Sequence, residues 1–226
     1  MTALDIIILA AGRGSRLAAL GDDRPKWLLE VGGETIADRQ LAALSLLPPD
    51  ALRSVTVVTG HAADAVADVP LGPVGSLLHN ELYLTYNNWY SVLVALRALP
   101  ADARVVVMNG DLCAAPEWFA AFLRACCDTD EQGMLGIDFD RQLTDESMKV
   151  SRGDSGELLL IGKHAFADPV GEYVGLLMAS GDVLAAFRAQ LEAFEQDEKD
   201  ANQWYEGAVG LTAADITRTA AICQSR

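Results

Sequence analysis

The sequence is poor in cysteine and histidine, with four cysteines and three histidines among its 226 residues. No cysteines form a C-x-x-C pair, and the adjacent Cys126 and Cys127 are a poor disulfide set. The three histidines are scattered, and no H-x-x-x-H spacing typical of zinc sites is present. We therefore expect reduced thiols in a cytoplasmic protein, with neither a disulfide framework nor a zinc centre.

Positive charge is also scarce, since 17 Lys and Arg residues face 32 Asp and Glu residues, for a net charge of −15. Nucleic acids and acidic membranes both select a basic surface, so we expect this chain to bind neither. No segment reaches the about 18 unbroken apolar residues of a membrane span. No basic stretch precedes the first apolar run as in a signal peptide. An anion site would need a local cluster of cations, and basic residues do gather at positions 13, 16, 24 and 26.

Segments typical of buried strands alternate with segments of helical period. Apolar or β-branched runs predict strands at Leu4–Leu9, Ser54–Thr59, Ser76–Leu78, Arg104–Met108, Met134–Asp138, Met148–Ser151, Leu158–Ile161 and Glu172–Ala179. Helices are predicted at Thr35–Leu47, His61–Val69, Asn88–Leu99, Pro116–Cys127 and Gly181–Gln196. The alternation indicates an α/β fold with a mostly parallel (mixed) sheet, helices on both faces and one domain spanning 1–226. In such sheets ligands bind beyond the carboxyl ends of the strands.

The first strand runs into the loop "LAAGRGSRL", residues 9–17. After Leu9, which is also a candidate nucleotide contact, the small residues Ala10, Ala11, Gly12 and Gly14 let the backbone approach an anion and point N–H groups at it. Arg13 and Arg16 add fork-shaped donors suited to phosphate. Leu17 replaces the third glycine of the dinucleotide fingerprint, and no Walker A lysine follows. A tight β–α turn with solvated arginines remains an alternative for the loop alone.

Two charged residues extend this pattern. Lys26 follows the loop between a proline and a tryptophan. Asp111 ends the strand-like segment "VVVMNGDL", residues 105–112, so it is expected at the carboxyl edge of the sheet. A carboxylate there suits Mg²⁺, which often takes one or two carboxylates together with phosphate oxygens. Capping of the next turn is the alternative for Asp111.

The combined stretch "LAAGRGSRL…RPKWLLEVGGETIADRQL" resembles the pattern of nucleotidyltransferases that join an NTP to a phosphorylated small molecule. That pattern reads L-A-A-G-x-G-x-R followed by P-K-x-L-x-x-x-x-x-x-P-[IL], and this chain departs from it at Trp27 and Thr35. The resemblance implies a Rossmann-like fold of the nucleotide-diphospho-sugar transferase type. It also implies that the glycine loop binds nucleotide, that Arg16 and Lys26 are catalytic, and that Asp111 contacts nucleotide and holds Mg²⁺.

Three further stretches resemble the phosphocholine or phosphonate cytidylyltransferases within that family. They are "TYNNWYS" (residues 85–91), the run from "ESMKV" to "GEYVG" (146–175) and "NQWYEGAV" (202–209). The resemblance implies a third catalytic cation, Lys163, and nucleotide contacts from Asn87, Asn88 and Ser91. It implies acceptor contacts from Lys149, Tyr173, Trp204, Tyr205 and Glu206. The alternative is helix capping for the first stretch and solvent exposure for the lysines of the second. For the third stretch it is the start of a helix with buried aromatic rings.

The family usually closes with a strand carrying W-x-E-I-D, whose aspartate is the second metal ligand. Here the last residues read "AAICQSR", so we expect that segment to be missing and Glu206 or another carboxylate to join Asp111 as a metal ligand.

The predicted function is transfer of CMP from CTP, with Mg²⁺, to a small phosphate or phosphonate acceptor, releasing pyrophosphate. Amides can read a pyrimidine edge, and this favours CTP. The alternatives are a sugar-1-phosphate nucleotidylyltransferase using UTP or dTTP and a non-catalytic nucleotide-binding domain. A dinucleotide oxidoreductase is disfavoured by Leu17. Choline phosphate, an aminoalkyl phosphonate and an inositol or sugar phosphate all fit as acceptors, and the oligomeric state, including a homo-oligomer, is left open.

Overall fold

The computed structural model describes residues 1–14, 24–164, 168–212 and 220–221. Its strands are β1 Leu4–Leu9, β2 Glu30–Val31, β3 Glu34–Thr35, β4 Leu52–Thr59, β5 Gly75–His79, β6 Val105–Asn109, β7 Gly133–Asp138, β8 Lys149–Arg152, β9 Leu158–Gly162, β10 Gly171–Ala179 and β11 Ala220–Ala221. Its α-helices are α1 Ile36–Ser45, α2 Ala63–Ala67, α3 Asn88–Arg97, α4 Pro116–Asp128, α5 Gly181–Gln196 and α6 Tyr205–Leu211. Single 3₁₀ turns form at Lys26–Leu28 and Glu198–Asp200.

The main sheet has the strand order β11-β7-β10-β6-β1-β4-β5. β1 pairs in parallel with β4 and β6, and β4 pairs in parallel with β5. β10 lies antiparallel between β6 and β7, and β8 and β9 form an antiparallel arm beside it. The predicted mixed, mostly parallel α/β sheet is therefore confirmed.

Helices cover both faces of this sheet, as the alternation predicts. The side chains of β1 explain the two layers, because successive residues of a strand point to opposite faces. Ile7 packs into the core beneath α3, α5 and α6. Ile6 and Ile8 pack into the other core, beneath α1 and α4. A continuous apolar run is what a strand buried on both faces requires.

The predicted helices and strands are found, with ends that move by a few residues. The helix expected from Thr35 begins at Ile36 because Thr35 forms a capping box with Asp38, its hydroxyl accepting from the Asp38 N–H at 3.0 Å. Pro116 occupies the first turn of α4, where its missing N–H is not needed. The β2–β3 hairpin and the two-residue β11 were not predicted, since such short strands carry little periodic signal.

The carboxyl ends of β1 and β6 meet at one edge of the sheet, and glycine makes their close approach possible. Gly110 donates its N–H to the Leu9 carbonyl at 3.1 Å. A Cβ at position 110 would lie only 2.3 Å from that oxygen, so another residue would push the loops apart. The turn carrying Asp111 is thereby held against the start of the glycine loop.

In the part of the chain that the structure describes, Cys113, Cys126 and Cys127 are free thiols, and Cys223 lies outside it. No helix in the described ranges is long and apolar enough to cross a membrane.

Candidate active site

A cavity of about 600 Å³ opens at the carboxyl edge of β1 and β6. Its wall contains Leu9, Ala10, Ala11, Gly12, Gly14, Lys26, Trp27, Tyr83, Tyr86, Asn87, Asn88, Ser91, Asn109, Gly110, Asp111, Glu146, Lys163 and Trp204. One cavity therefore gathers part of the glycine loop and both predicted catalytic lysines. Arg13 belongs to the loop and is exposed, but it does not line this cavity, and Arg16 lies outside the described residues.

The glycine loop lies against the aliphatic stem of Lys26. Gly14 adopts a φ of +59°, and a Cβ there would be 2.9 Å from Lys26 Cγ. Both its backbone conformation and this contact favour glycine at position 14. The Ala10 N–H donates to the Val58 carbonyl at 2.9 Å, so it is already used by the sheet. The Ala10 N–H is therefore not free to bind an anion in the cavity.

Lys26 and Asp111 form an ion pair within the cavity. Lys26 Nζ lies 2.8 Å from Asp111 Oδ2, and the two side chains are 40% and 49% exposed. Lys26 belongs to the 3₁₀ turn after the glycine loop, and Asp111 follows β6. The sheet edge thus brings together a cation and an anion that are 85 residues apart in sequence.

The residues at this edge fit a magnesium ion bound mainly through a ligand. Asp111 offers one carboxylate that faces the cavity, and Mg²⁺ commonly completes its shell with phosphate oxygens and water. Glu206, the other predicted ligand, is only 6% exposed and is absent from the cavity wall. Within the described ranges no group of three or more His, Cys, Asp or Glu residues could hold a metal.

Glu206 sits behind the wall in a polar layer. Asn88 Nδ2 points toward Glu206 Oε2 at 3.5 Å. Burial raises the pKa of Glu206 to about 7, with a smaller contribution from the charge of Asp111. Its carboxyl group therefore changes charge near neutral pH, which a solvated glutamate would not do.

Two predicted acceptor residues, Tyr173 and Tyr205, also lie behind the wall. They are 4% and 0% exposed, and their hydroxyls are 2.7 Å apart. Tyr205 donates to Asn109 Oδ1 at 2.9 Å, and Asn109 does line the cavity. Burial raises the pKa of both phenols. In this arrangement the two rings support Asn109, and the structure does not bring them to the cavity surface.

Lys163 and Trp204 lie in contact in the wall of the same cavity. Lys163 Nζ lies 3.0 Å from Glu146 Oε2 and 4.2 Å from the centre of the Trp204 ring. A carboxylate and an aromatic face together stabilise an ammonium group. Lys149 lies outside the wall, and its Nζ donates to the Lys163 carbonyl at 2.8 Å. Its observed contact is thus with the backbone that carries Lys163.

Asn87, Asn88 and Ser91 line the cavity at the start of α3, but their polar atoms also serve the fold. Asn87 Oδ1 accepts from the Asn88 N–H at 2.8 Å as the helix cap. Asn88 Oδ1 accepts from the Tyr205 N–H at 3.0 Å. Ser91 accepts from Asn80 Nδ2 at 2.9 Å. The capping expected as an alternative is therefore present at Asn87.

Six residues of the wall were not predicted as site residues: Trp27, Tyr83, Tyr86, Asn109, Gly110 and Glu146. For two of them the sequence did hold a signal. Asn109 and Gly110 stand directly before Asp111 at the end of a predicted strand. Glu146 lies in an irregular segment, where no period indicates which side chain faces inward.

The strand order and the solved structures of similar fold define a class, the nucleotide-diphospho-sugar transferase fold. In this chain the described part of the glycine loop lines the cavity at the carboxyl edge of the sheet. The family model of the MobA-like NTP transferase domain matches residues 6–207. This chain belongs to that family.

Curated relatives support the same family. The bifunctional protein GlmU of Acidovorax sp. (strain JS42) is 30% identical over 237 residues, covering 99% of this chain and 47% of that protein. The bifunctional protein GlmU of Alkalilimnicola ehrlichii is 31% identical over 229 residues, covering 97% and 45%. The chain spans about half the length of these curated relatives.

Solved structures share the fold at lower identity. The inositol-1-phosphate CTP transferase of T. maritima has a TM-score of 0.72 at 18% identity, covering 98% of this chain and 86% of that chain. The CTP:phosphocholine cytidylyltransferase of Streptococcus pneumoniae has a TM-score of 0.73 at 16% identity, covering 98% and 91%. A UDP-glucose pyrophosphorylase has a TM-score of 0.72 at 12% identity, covering 94% and 88%.

Proposed function

We propose that this NTP transferase domain transfers CMP from CTP to a small phosphate or phosphonate acceptor and releases pyrophosphate. The supporting observation is that one cavity is lined by two lysines that lie in separate polar clusters. Lys26 lies beside the glycine loop and Asp111, and Lys163 lies beside Trp204. Two anionic reactants could each meet one cation there, against the protein's overall negative charge.

In the proposed reaction, an acceptor oxygen attacks the α-phosphorus of the nucleotide. A new P–O bond forms, the bond to the bridging oxygen breaks, and pyrophosphate leaves with that electron pair. The loop amides, with Arg13 and Arg16, would hold the β- and γ-phosphates, and Lys26 would stabilise negative charge at the α-phosphate. Asp111 would hold Mg²⁺, which when bound neutralises phosphate charge. Positioning and charge suffice, so no protein nucleophile is required.

The contacts of Lys163 suggest how an acceptor binds. Its ammonium now lies between Glu146 and the Trp204 ring. An acceptor with a cationic head could take that place, while Lys163 turns to the acceptor's phosphate or phosphonate group. Choline phosphate and an aminoalkyl phosphonate have this pairing of charges. Inositol and sugar phosphates have only the anionic half.

A sugar-1-phosphate nucleotidylyltransferase using UTP or dTTP is the second candidate. One observation weakens the argument for CTP and so keeps this candidate open. The amides of Asn87 and Asn88 bond to backbone groups of the fold, so they are less free to read a cytosine edge. Because an amide that is already paired gives less discrimination between bases, the nucleotide must be decided by measurement.

The test is a panel of CTP, UTP, dTTP and ATP, each with Mg²⁺ and with choline phosphate, 2-aminoethylphosphonate, inositol 1-phosphate or glucose 1-phosphate. Pyrophosphate release gives the rate, and ³¹P NMR identifies the new diphosphate or phosphonate–phosphate bond. We expect CTP with an amino-bearing acceptor to give the highest kcat/KM. Highest activity with UTP or dTTP and glucose 1-phosphate would support the second candidate. Nucleotide binding with no pyrophosphate release in any combination would support a non-catalytic nucleotide-binding domain.

A further inference from the structure

We propose that Trp27 and Gln40 form a positioning pair that fixes Lys26 relative to the turn carrying Asp111. The catalytic consequence rests on the function proposed above, whereas the structural tie does not. Trp27 is 1% exposed and Gln40 is 0% exposed, so this polar contact is enclosed in the protein.

A single side-chain amide makes the connection. Gln40 Oε1 accepts from Trp27 Nε1 at 3.0 Å. Gln40 Nε2 donates to two carbonyls, those of Asn109 at 3.0 Å and Leu112 at 2.9 Å. Both amide hydrogens of Gln40 are thus used. A buried polar group that loses its hydrogen bonds destabilises the folded protein.

These contacts join the two sides of the Lys26–Asp111 ion pair. Trp27 is the next residue after Lys26 in the same 3₁₀ turn. The two carbonyls bound by Gln40 stand on either side of Asp111 in the chain. The ion pair is about half exposed, and such pairs hold geometry weakly. The enclosed amide, rather than the ion pair, therefore sets the separation of the two charged residues.

This separation matters for transfer because Lys26 and Asp111 would act on the same phosphate group. Charge stabilisation depends on donors and cations that are held in place before the reaction. A displacement of about 1 Å can cost roughly a hundredfold in rate. Trp27 and Gln40 would contribute through the residues they hold, without contacting the reacting atoms.

The structural tie is tested first, without nucleotide, by hydrogen–deuterium exchange of the full chain. The variant Gln40→Met keeps the length of the side chain and removes the amide. Trp27→Phe removes the indole N–H together with part of the ring, a loss of volume that a Trp→Phe control must share. The reporters are the amides of Gly110 and Leu112, which donate to the Leu9 and Asn109 carbonyls.

The matched control is Trp118→Phe, because Trp118 Nε1 is buried with no hydrogen-bond partner in the described part of the chain. We expect exchange at Gly110 and Leu112 to rise roughly tenfold in Gln40→Met and by less in Trp27→Phe, with little change in the control. Equal exchange in all three variants would overturn the proposal.

The catalytic consequence is tested by initial-rate kinetics of the same variants. We expect kcat of Gln40→Met to fall roughly ten- to a hundredfold and the Mg²⁺ concentration for half-maximal rate to rise. An effect on packing alone would lower the melting temperature and leave the Mg²⁺ dependence unchanged, and that result would overturn the proposal. A wild type that releases no pyrophosphate would refute the proposed function, while the exchange data would still decide whether the tie exists.

Discussion

Replacing Lys26 with alanine separates the contribution of this ammonium group to stability from its contribution to catalysis. Its ion pair with Asp111 is short, at 2.8 Å, but the side chains are 40% and 49% exposed. Pairs of this exposure contribute about 0–1 kcal/mol to stability. During transfer the same ammonium would face charge developing on the α-phosphate. Removing one such stabilising group typically costs about 2.7–4 kcal/mol, or 10²–10³ in kcat.

We therefore expect Lys26→Ala to lose at least a hundredfold in turnover while its free energy of unfolding changes by less than about 1 kcal/mol. Pyrophosphate release and urea unfolding measure the two quantities. Arg97→Ala is the matched control, because it removes another exposed ion pair, with Glu195, whose side chains are 43% and 33% exposed. Near-normal turnover in Lys26→Ala, or a loss explained by unfolding, would refute the role assigned to Lys26.

Three further predictions concern other parts of the molecule. Lys163→Met should raise the KM for the acceptor roughly tenfold and that for nucleotide much less, since a charged hydrogen bond contributes about 1.5–3 kcal/mol; an equal rise in both would contradict this. Burial moves the pKa of Glu206 from 4.5 to about 7, so its stabilising effect is complete below about 4.5 and is lost as the pH rises through 7. Glu206→Gln should remove this pH dependence of the free energy of unfolding. At pH 8 without Mg²⁺ the variant should be more stable than wild type by up to roughly 3 kcal/mol. The same pH dependence of unfolding free energy in both proteins would contradict this. Burial raises the pKa of the Cys126 and Cys127 thiols while Cys113 is exposed, so iodoacetamide at pH 8 should label Cys113 before these two, as read by peptide mass spectrometry; labelling of Cys126 ahead of Cys113 would contradict the structure.

The sheet and its helices could be predicted because burial on two faces leaves a strong pattern. The apolar run of β1 and the β-branched run of β4 predicted strands, and the structure places them side by side. The antiparallel β10 could not be assigned its place between β6 and β7 from such patterns. Strand order depends on pairing between segments that are distant in sequence. The periodicity of apolar residues within one segment carries no information on that pairing.

Within the candidate site, residues at strand ends were predictable in position. Lys26 and Asp111 follow predictable elements, and parallel strands bring their carboxyl ends to one edge. Side chains in α6 were harder to place. Trp204 reaches the cavity, whereas its neighbours Tyr205 and Glu206 face the interior. The presence of aromatic and acidic residues in a short helix does not show which of its faces packs against the core.

The contacts of Gln40 show a second limit of sequence reasoning. A glutamine in an amphipathic helix predicts an exposed side chain, yet this one is 0% exposed. The carbonyls that its amide bonds belong to the end of β6 and the turn after it, 69 and 72 residues away in sequence. Only the packed fold brings an amide from α1 next to those carbonyls.

The most direct test of the central claim is pyrophosphate release by the wild-type chain with CTP, Mg²⁺ and a mixture of small phosphate and phosphonate acceptors, beside a CTP thermal-shift titration. We predict release that requires an acceptor, accompanied by a CTP-dependent rise in melting temperature. A rise in melting temperature with no release would contradict catalysis and leave a nucleotide-binding domain. The absence of both signals, with CTP and with the other NTPs, would contradict the claim that this cavity binds a nucleotide.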